Sequence, residues 1–180
     1  MRRLAAALIV AAAPAAAADG FAVKDLRAVV DAVDASAFTG GTFVAAADDP
    51  ARLTIFCGDC ETITVVDIQI DLATDGTEGR LRSGETTYDL LQTNCEAREP
   101  SCRLVPAQLG AAVGWATSYK IEDHMGSTLV LLKDGERLIA RSIGPNAETA
   151  VANAVTARLG VIRAIVIGED IKLDEGKIGQ

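Results

Sequence analysis

The run Val66-Asp67-Ile68-Gln69-Ile70-Asp71-Leu72 alternates apolar and polar residues at every step. Successive side chains on a β-strand point to opposite faces, so this run reads as a strand with one face in a core and the other in water. Just upstream, Leu53, Ile55 and Cys57 alternate with Thr54 and Phe56, and Gly58-Asp59 between the two runs predicts a two-residue type II′ hairpin. Ile63 and Val65 are out of phase with the Val66 series, which predicts a β-bulge near Val65-Val66.

Other elements follow from the same periodicities. Phe21 to Ser36 places Val23, Leu26, Val29, Val30 and Val33 at helical spacing, opposite Lys24, Asp25, Arg27 and Asp31, and predicts an amphipathic helix. Thr39-Gly40-Gly41 ends it, Thr42 to Ala46 is a short strand, and Asp48-Asp49-Pro50 is a turn. Asp75 to Gly84 reads as a polar loop, Thr87 to Gln92 fits a helical turn or a strand, and Cys95 to Cys102 encloses a polar loop. Val113 to Ile121, Ser127 to Lys133 and Arg137 to Ile143 predict a three-strand meander, joined by the loop Glu122–Gly126 and the Asp134-Gly135 hairpin turn. Asn146 caps a second helix, with Glu148 in its first turn, an apolar stripe of Val151, Val155 and Leu159, and Gly160 as its stop. Val161 to Ile167 reads as a last buried strand.

A chain of 180 residues supports one domain with a real core, and 49% apolar residues with a mean hydropathy of +0.24 exclude a disordered protein. The order of elements predicts a single small α+β domain over residues 19–170, with a mainly antiparallel sheet and two amphipathic helices packed on it. Residues 171–180 are expected to be a frayed tail.

The N-terminus has the layout of an export signal. Met1-Arg2-Arg3 is followed by an apolar run from Leu4 to Ala13 and an Ala-x-Ala site at Ala16 and Ala18, so residues 1–18 read as a signal peptide cleaved before Asp19. The run is shorter than the roughly 20 apolar residues of a membrane span. Cleavage would leave 162 residues with 15 basic and 25 acidic side chains, a net charge of −10. Such a chain is expected in the periplasm or outside the cell, with no membrane span. A pI near 4.6 argues against nucleic acid as a partner, because phosphate binding needs a basic footprint.

Three readings compete for the four cysteines. Cys57-Gly-Asp-Cys60 has thioredoxin-like spacing, but that chemistry needs the first cysteine at a helix N-terminus, and a β-branched run follows Cys60. Cys57, Cys60, Cys95 and Cys102 together supply four thiolates for zinc, although the second spacing is loose and an oxidising compartment disfavours free thiols. Two structural disulfides fit best, with Cys57–Cys60 and Cys95–Cys102 the preferred pairing among three possible ones.

Further constellations are weaker. His124-Met125 is a soft pair that could hold copper, but two ligands rarely make a site. His124 as a base with Ser118 or Ser127 would suit a hydrolase, yet no Gly-x-Ser-x-Gly elbow presents a nucleophile. Asp67, Asp71, Asp75 and Glu78 could suggest calcium but lack EF-hand spacing, and they read as a solvated face. Gly40-Gly41 lacks a phosphate-loop context. Trp115, Tyr119 and Phe56 are weighed as a ligand surface and assigned to the core or its edge. The reading is a disulfide-stapled, exported, non-enzymatic binding or accessory domain without a cofactor, acting on an envelope protein or small ligand. The alternative is a thiol–disulfide or metal-handling protein using the four cysteines.

Overall fold

The computed structural model describes residues 20–168, so the signal peptide expected at 1–18 and the tail expected at 171–180 lie outside the described residues. Leu53 and Ile55 of β2 (Arg52–Cys57) and Val66 and Ile68 of β3 (Val65–Leu72) are buried, and the residues between them are at least partly exposed. With β1 (Phe43–Asp49), β4 (Arg103–Leu109), β5 (Ala112–Ile121), β6 (His124–Lys133) and β7 (Glu136–Gly144) they form one antiparallel sheet, in the order β1-β2-β3-β7-β6-β5-β4. The α+β class with an antiparallel sheet is therefore as expected.

Register aligns the core across the strands. Leu53, Ile68, Ala140 and Leu129 are successive cross-strand neighbours, all buried on one face. That inner face is covered by α3 (Ala147–Leu159), α4 (Val161–Ile167) and a 3₁₀ segment, Leu26–Ala32. The Asp134-Gly135 turn is as predicted: both residues have positive φ, 54° and 81°, and Lys133 pairs with Glu136.

Several elements differ from expectation. The segment 21–36 buries Leu26 and Val29 as predicted, but it forms two 3₁₀ pieces, Leu26–Ala32 and Ala35–Ala37, rather than an α-helix. Tertiary bonds capture its backbone, with Val23 N donating to Ile165 O and Leu26 N to Pro50 O, and the Asp34 side chain caps a new start at Ser36. Val161–Ile167 is helix α4, not a strand. Its β-branched composition favours a strand, yet Val161, Ile162, Ile165 and Val166 are buried at helical spacing, so packing overrides propensity. The stretch Ala147–Ile167 is long and apolar enough to cross a membrane by composition, but Gly160 divides it and α4 is largely buried against the domain.

The Asn146 cap forms as predicted, its side chain accepting from Thr149 N. The apolar stripe does not. Val151, Val155 and Leu159 are 41%, 47% and 69% exposed, and α3 instead buries Ala150, Asn153 and Ala157. Small residues let α3 lie close on the sheet, and Asn153 is fully engaged with the backbone of Thr39.

The turn after β2 is longer than two residues. Phe56↔Val65 is the last strand pair, residues 58–64 join β2 to β3, and Cys57 N donates to Thr64 O. Ile63 lies in that loop, so its phase change marks the start of β3 rather than a bulge, and the register irregularity falls between Ala46 and Asp49. The expected loop at 75–84 contains α1 (Thr77–Ser83), and the ambiguous 87–92 segment opens α2 (Tyr88–Arg98), capped by the Thr87 side chain. Cys95 is thus helical, and only the remainder of 95–102 is loop. β4 extends the meander to four strands; it is an edge strand, which is why it tolerates Pro106. The loop expected at Glu122–Gly126 shrinks to the two-residue turn Glu122-Asp123, because His124, Met125 and Gly126 already belong to β6.

Candidate functional site

The outer face of the sheet divides into a charged half and an apolar half. On β2, β3 and β7, Asp67 pairs with Arg52 at 2.6 Å and Asp71 with Arg137 at 2.6 Å. Asp75 caps Thr77 N, and Glu78 accepts from Gly135 N and pairs with Arg82. Burial pushes the Glu78 carboxyl up, but Gly135 N–H and Arg82 outweigh it and hold the group below the usual range. The four carboxylates have separate partners, so they form no calcium cage.

On β4, β5 and β6 the same face carries Leu104, Trp115, Thr117, Tyr119 and Thr128. α2 packs beside it and contributes Leu91, Asn94, Cys95 and Arg98, enclosing a cleft of about 500 Å³. Two fasteners hold α2 there. The Cys95–Cys102 disulfide, with Cα atoms 5.7 Å apart, ties its last turn to the chain entering β4. Gln92 adds a polar clamp: its Oε1 accepts from Leu104 N at 2.7 Å and its Nε2 donates to Cys102 O at 3.1 Å. Inside, Tyr119 Oη and Thr128 Oγ1 are hydrogen-bonded at 2.8 Å, and Thr117 Oγ1 donates to Thr128 O. Arg98 and Glu99 stand at the rim, where the Ser101 backbone N–H holds the Glu99 carboxyl below its usual range. Apolar walls with a few placed hydroxyls are the composition of a small-molecule pocket.

The aromatic candidates therefore part company. Trp115 and Tyr119 are half-buried and line this cleft, not the core, because the inner face at their strands belongs to Gly114, Ala116 and Ser118. Phe56 is 40% exposed on distant β2. Leu91 was invisible in the sequence because α2 is mostly polar and shows no helical stripe, and Leu104 lies on β4, a strand with no predicted counterpart.

Register also separates the other constellations. Ser118 pairs with Ser127 on the inner face, whereas His124, three residues from Ser127, points to the outer one. A His124–serine couple is not formed. His124 and Met125 are consecutive strand residues with opposite directions, so they do not converge on one ion. Cys57 and Cys60 form the second disulfide, Cα atoms 5.6 Å apart, at the end of β2. β2 and β4 are five sheet spacings apart, on the order of 20 Å, so the four cysteines do not make one zinc site.

Comparison with family models, with curated proteins and with solved structures finds no match for this chain.

Proposed function

We propose that this chain is an exported, non-enzymatic binding domain that takes an apolar small ligand in the cleft between α2 and the outer face of β4–β6. The cleft carries this reading: a volume of about 500 Å³, the side chains of Trp115 and Tyr119 along its wall, and hydroxyls placed to orient a guest. Export is supported by the charged, apolar and Ala-x-Ala succession at residues 1–18 and by two disulfides, which persist in oxidising compartments. N-terminal sequencing of the protein from a periplasmic extract should begin at Asp19. Recovery of chains that retain Met1, or recovery only in membranes, would contradict export.

Trp115 is the single tryptophan, so its emission reports on the cleft. Titration with the neutral probe N-phenyl-1-naphthylamine is expected to change that emission saturably, with a dissociation constant on the order of 100 µM or tighter. Leu91→Glu, which puts a charge against the apolar wall, should weaken binding at least about tenfold while the melting curve stays close to wild type. Unchanged emission, or a Leu91→Glu variant that binds as well as wild type, would rule the cleft out.

A further inference from the structure

The Cys57–Cys60 disulfide sits in a setting unlike that of its counterpart on α2. Both of its cysteines are partly exposed, and the Asp59 carboxylate lies between them in sequence and beside them in space. Asp59 Oδ1 is 3.2 Å from Cys57 Sγ, and the two sulfurs and a carboxylate oxygen all lie within 4.8 Å of one another. The Asp59 carboxylate is aimed by Thr42, whose backbone N–H and Oγ1 donate to its two oxygens at 2.7 and 2.8 Å. Gly41 closes the other side. A Cβ there would stand 2.4 Å from Cys57 Sγ, 2.7 Å from Cys60 Sγ and 2.7 Å from Asp59 Oδ1, so only glycine lets the segment leading into β1 cover the cluster.

We propose that Cys57, Asp59 and Cys60, once the disulfide is reduced, form a binding site for a thiophilic divalent cation of the zinc class. Part of the frame is independent of the S–S bond: Cys57 N donates to Thr64 O at 3.0 Å, Gly58 N donates to Thr42 O at 2.9 Å, and Thr42 holds the Asp59 carboxylate, so Cys57 and Asp59 stay placed while Cys60 closes on the cation three residues along the same loop. Two thiolates, one carboxylate and a water match the tetrahedral sulfur–oxygen preference of zinc, and Thr42 acts as the outer partner that orients the carboxylate ligand. Charge decides between this and thiol exchange. A carboxylate beside the sulfurs repels an uncompensated thiolate, whereas a dication among three negative ligands is stabilised by it. The steps balance: a dithiol supplies two electrons and two protons, the S–S bond breaks to two thiols and the dithiol becomes a disulfide; the cation then displaces both protons as it binds. In an oxidising compartment the site is closed by its own disulfide, and a reductant opens it.

The test uses the full-length mature protein, reduced with a phosphine that is then removed under anaerobic conditions, and titrated with Zn²⁺ against a chromophoric chelator. The expected result is one equivalent per chain, about micromolar or tighter, with no binding before reduction. Cys60→Ser should weaken binding at least about 100-fold and Asp59→Asn at least about tenfold, whereas Cys95→Ser/Cys102→Ser should leave one equivalent bound. Absence of zinc uptake by the reduced protein, equal uptake by Asp59→Asn, or uptake that survives Cys60→Ser would each overturn the site. So would loss of the far-ultraviolet circular dichroism on reduction, because Cys57 and Asp59 are argued to stay placed without the S–S bond.

Discussion

Asn153→Ala should lower the unfolding free energy by about 3 kcal/mol, and the melting temperature by roughly 6–12 °C for a domain of this size. Asn153 is fully buried on α3, where its Oδ1 accepts from Thr39 N at 2.8 Å and its Nδ2 donates to Thr39 O at 3.0 Å. Both backbone groups of Thr39 are thereby satisfied by one side chain across 114 residues of sequence. Alanine leaves a part-buried donor and acceptor of Thr39 without their partner, each costing about 1–1.5 kcal/mol. Asn153→Asp should be worse near neutral pH, since it keeps the acceptor for Thr39 N–H but turns a second oxygen toward the Thr39 carbonyl and buries a charge. Urea unfolding of the three proteins measures the differences at constant m-value. A loss below about 1 kcal/mol for the alanine variant would mean that water replaces the side chain and that the staple is incidental.

The double variant Cys95→Ser/Cys102→Ser should lose about 2.5 kcal/mol, from the chain entropy released when an eight-residue ring is opened. That corresponds to a fall of roughly 5–10 °C in melting temperature. Its second effect is specific to place. Both cysteines line the cleft, so freeing the end of α2 should weaken N-phenyl-1-naphthylamine binding at least about tenfold at temperatures where the protein is still folded. Gln92 remains as a clamp on β4, which keeps α2 near the sheet without fixing the cleft wall. Cys57→Ser/Cys60→Ser, at the far side of the sheet, should cost about 2 kcal/mol by the same ring arithmetic and leave probe binding unchanged. Equal binding by both double variants would show that the disulfide on α2 has no part in shaping the cleft.

What could be read in the sequence was whatever had a strict period or a strict turn chemistry. Val66 to Ile70 alternates because one face of β3 is core and the other is water, although Leu72 runs past the core and is 72% exposed, and Asp134-Gly135 marks the β6–β7 turn because both residues take positive φ. Asn146 is legible as a cap for the same local reason. The failures are places where distant packing decides. Val161–Ile167 has the composition of a buried strand and becomes a helix because the inner face it covers accepts helical spacing. On α3 the apolar side chains are left outward and alanines and an asparagine go inward, because close approach to the sheet excludes larger groups. α2 carries no apolar stripe, so the sequence left Thr87 to Gln92 open between a helical turn and a strand and gave no sign of the full helix that roofs the cleft. Trp115 and Tyr119 could be named as possible ligand contacts, but the wall that makes them a site came from residues with no motif at all.

The claim that the cleft beneath α2 is the binding site is tested most directly by residue-resolved amide NMR during titration with N-phenyl-1-naphthylamine. Shift changes should concentrate on Leu91 to Glu99 of α2 and its end, on Leu104, and on Trp115, Thr117, Tyr119 and Thr128. Changes centred instead on the groove on the opposite side of the sheet, between Val105 of β4 and the exposed Val151 and Val155 of α3, or spread evenly over the sheet, would contradict it.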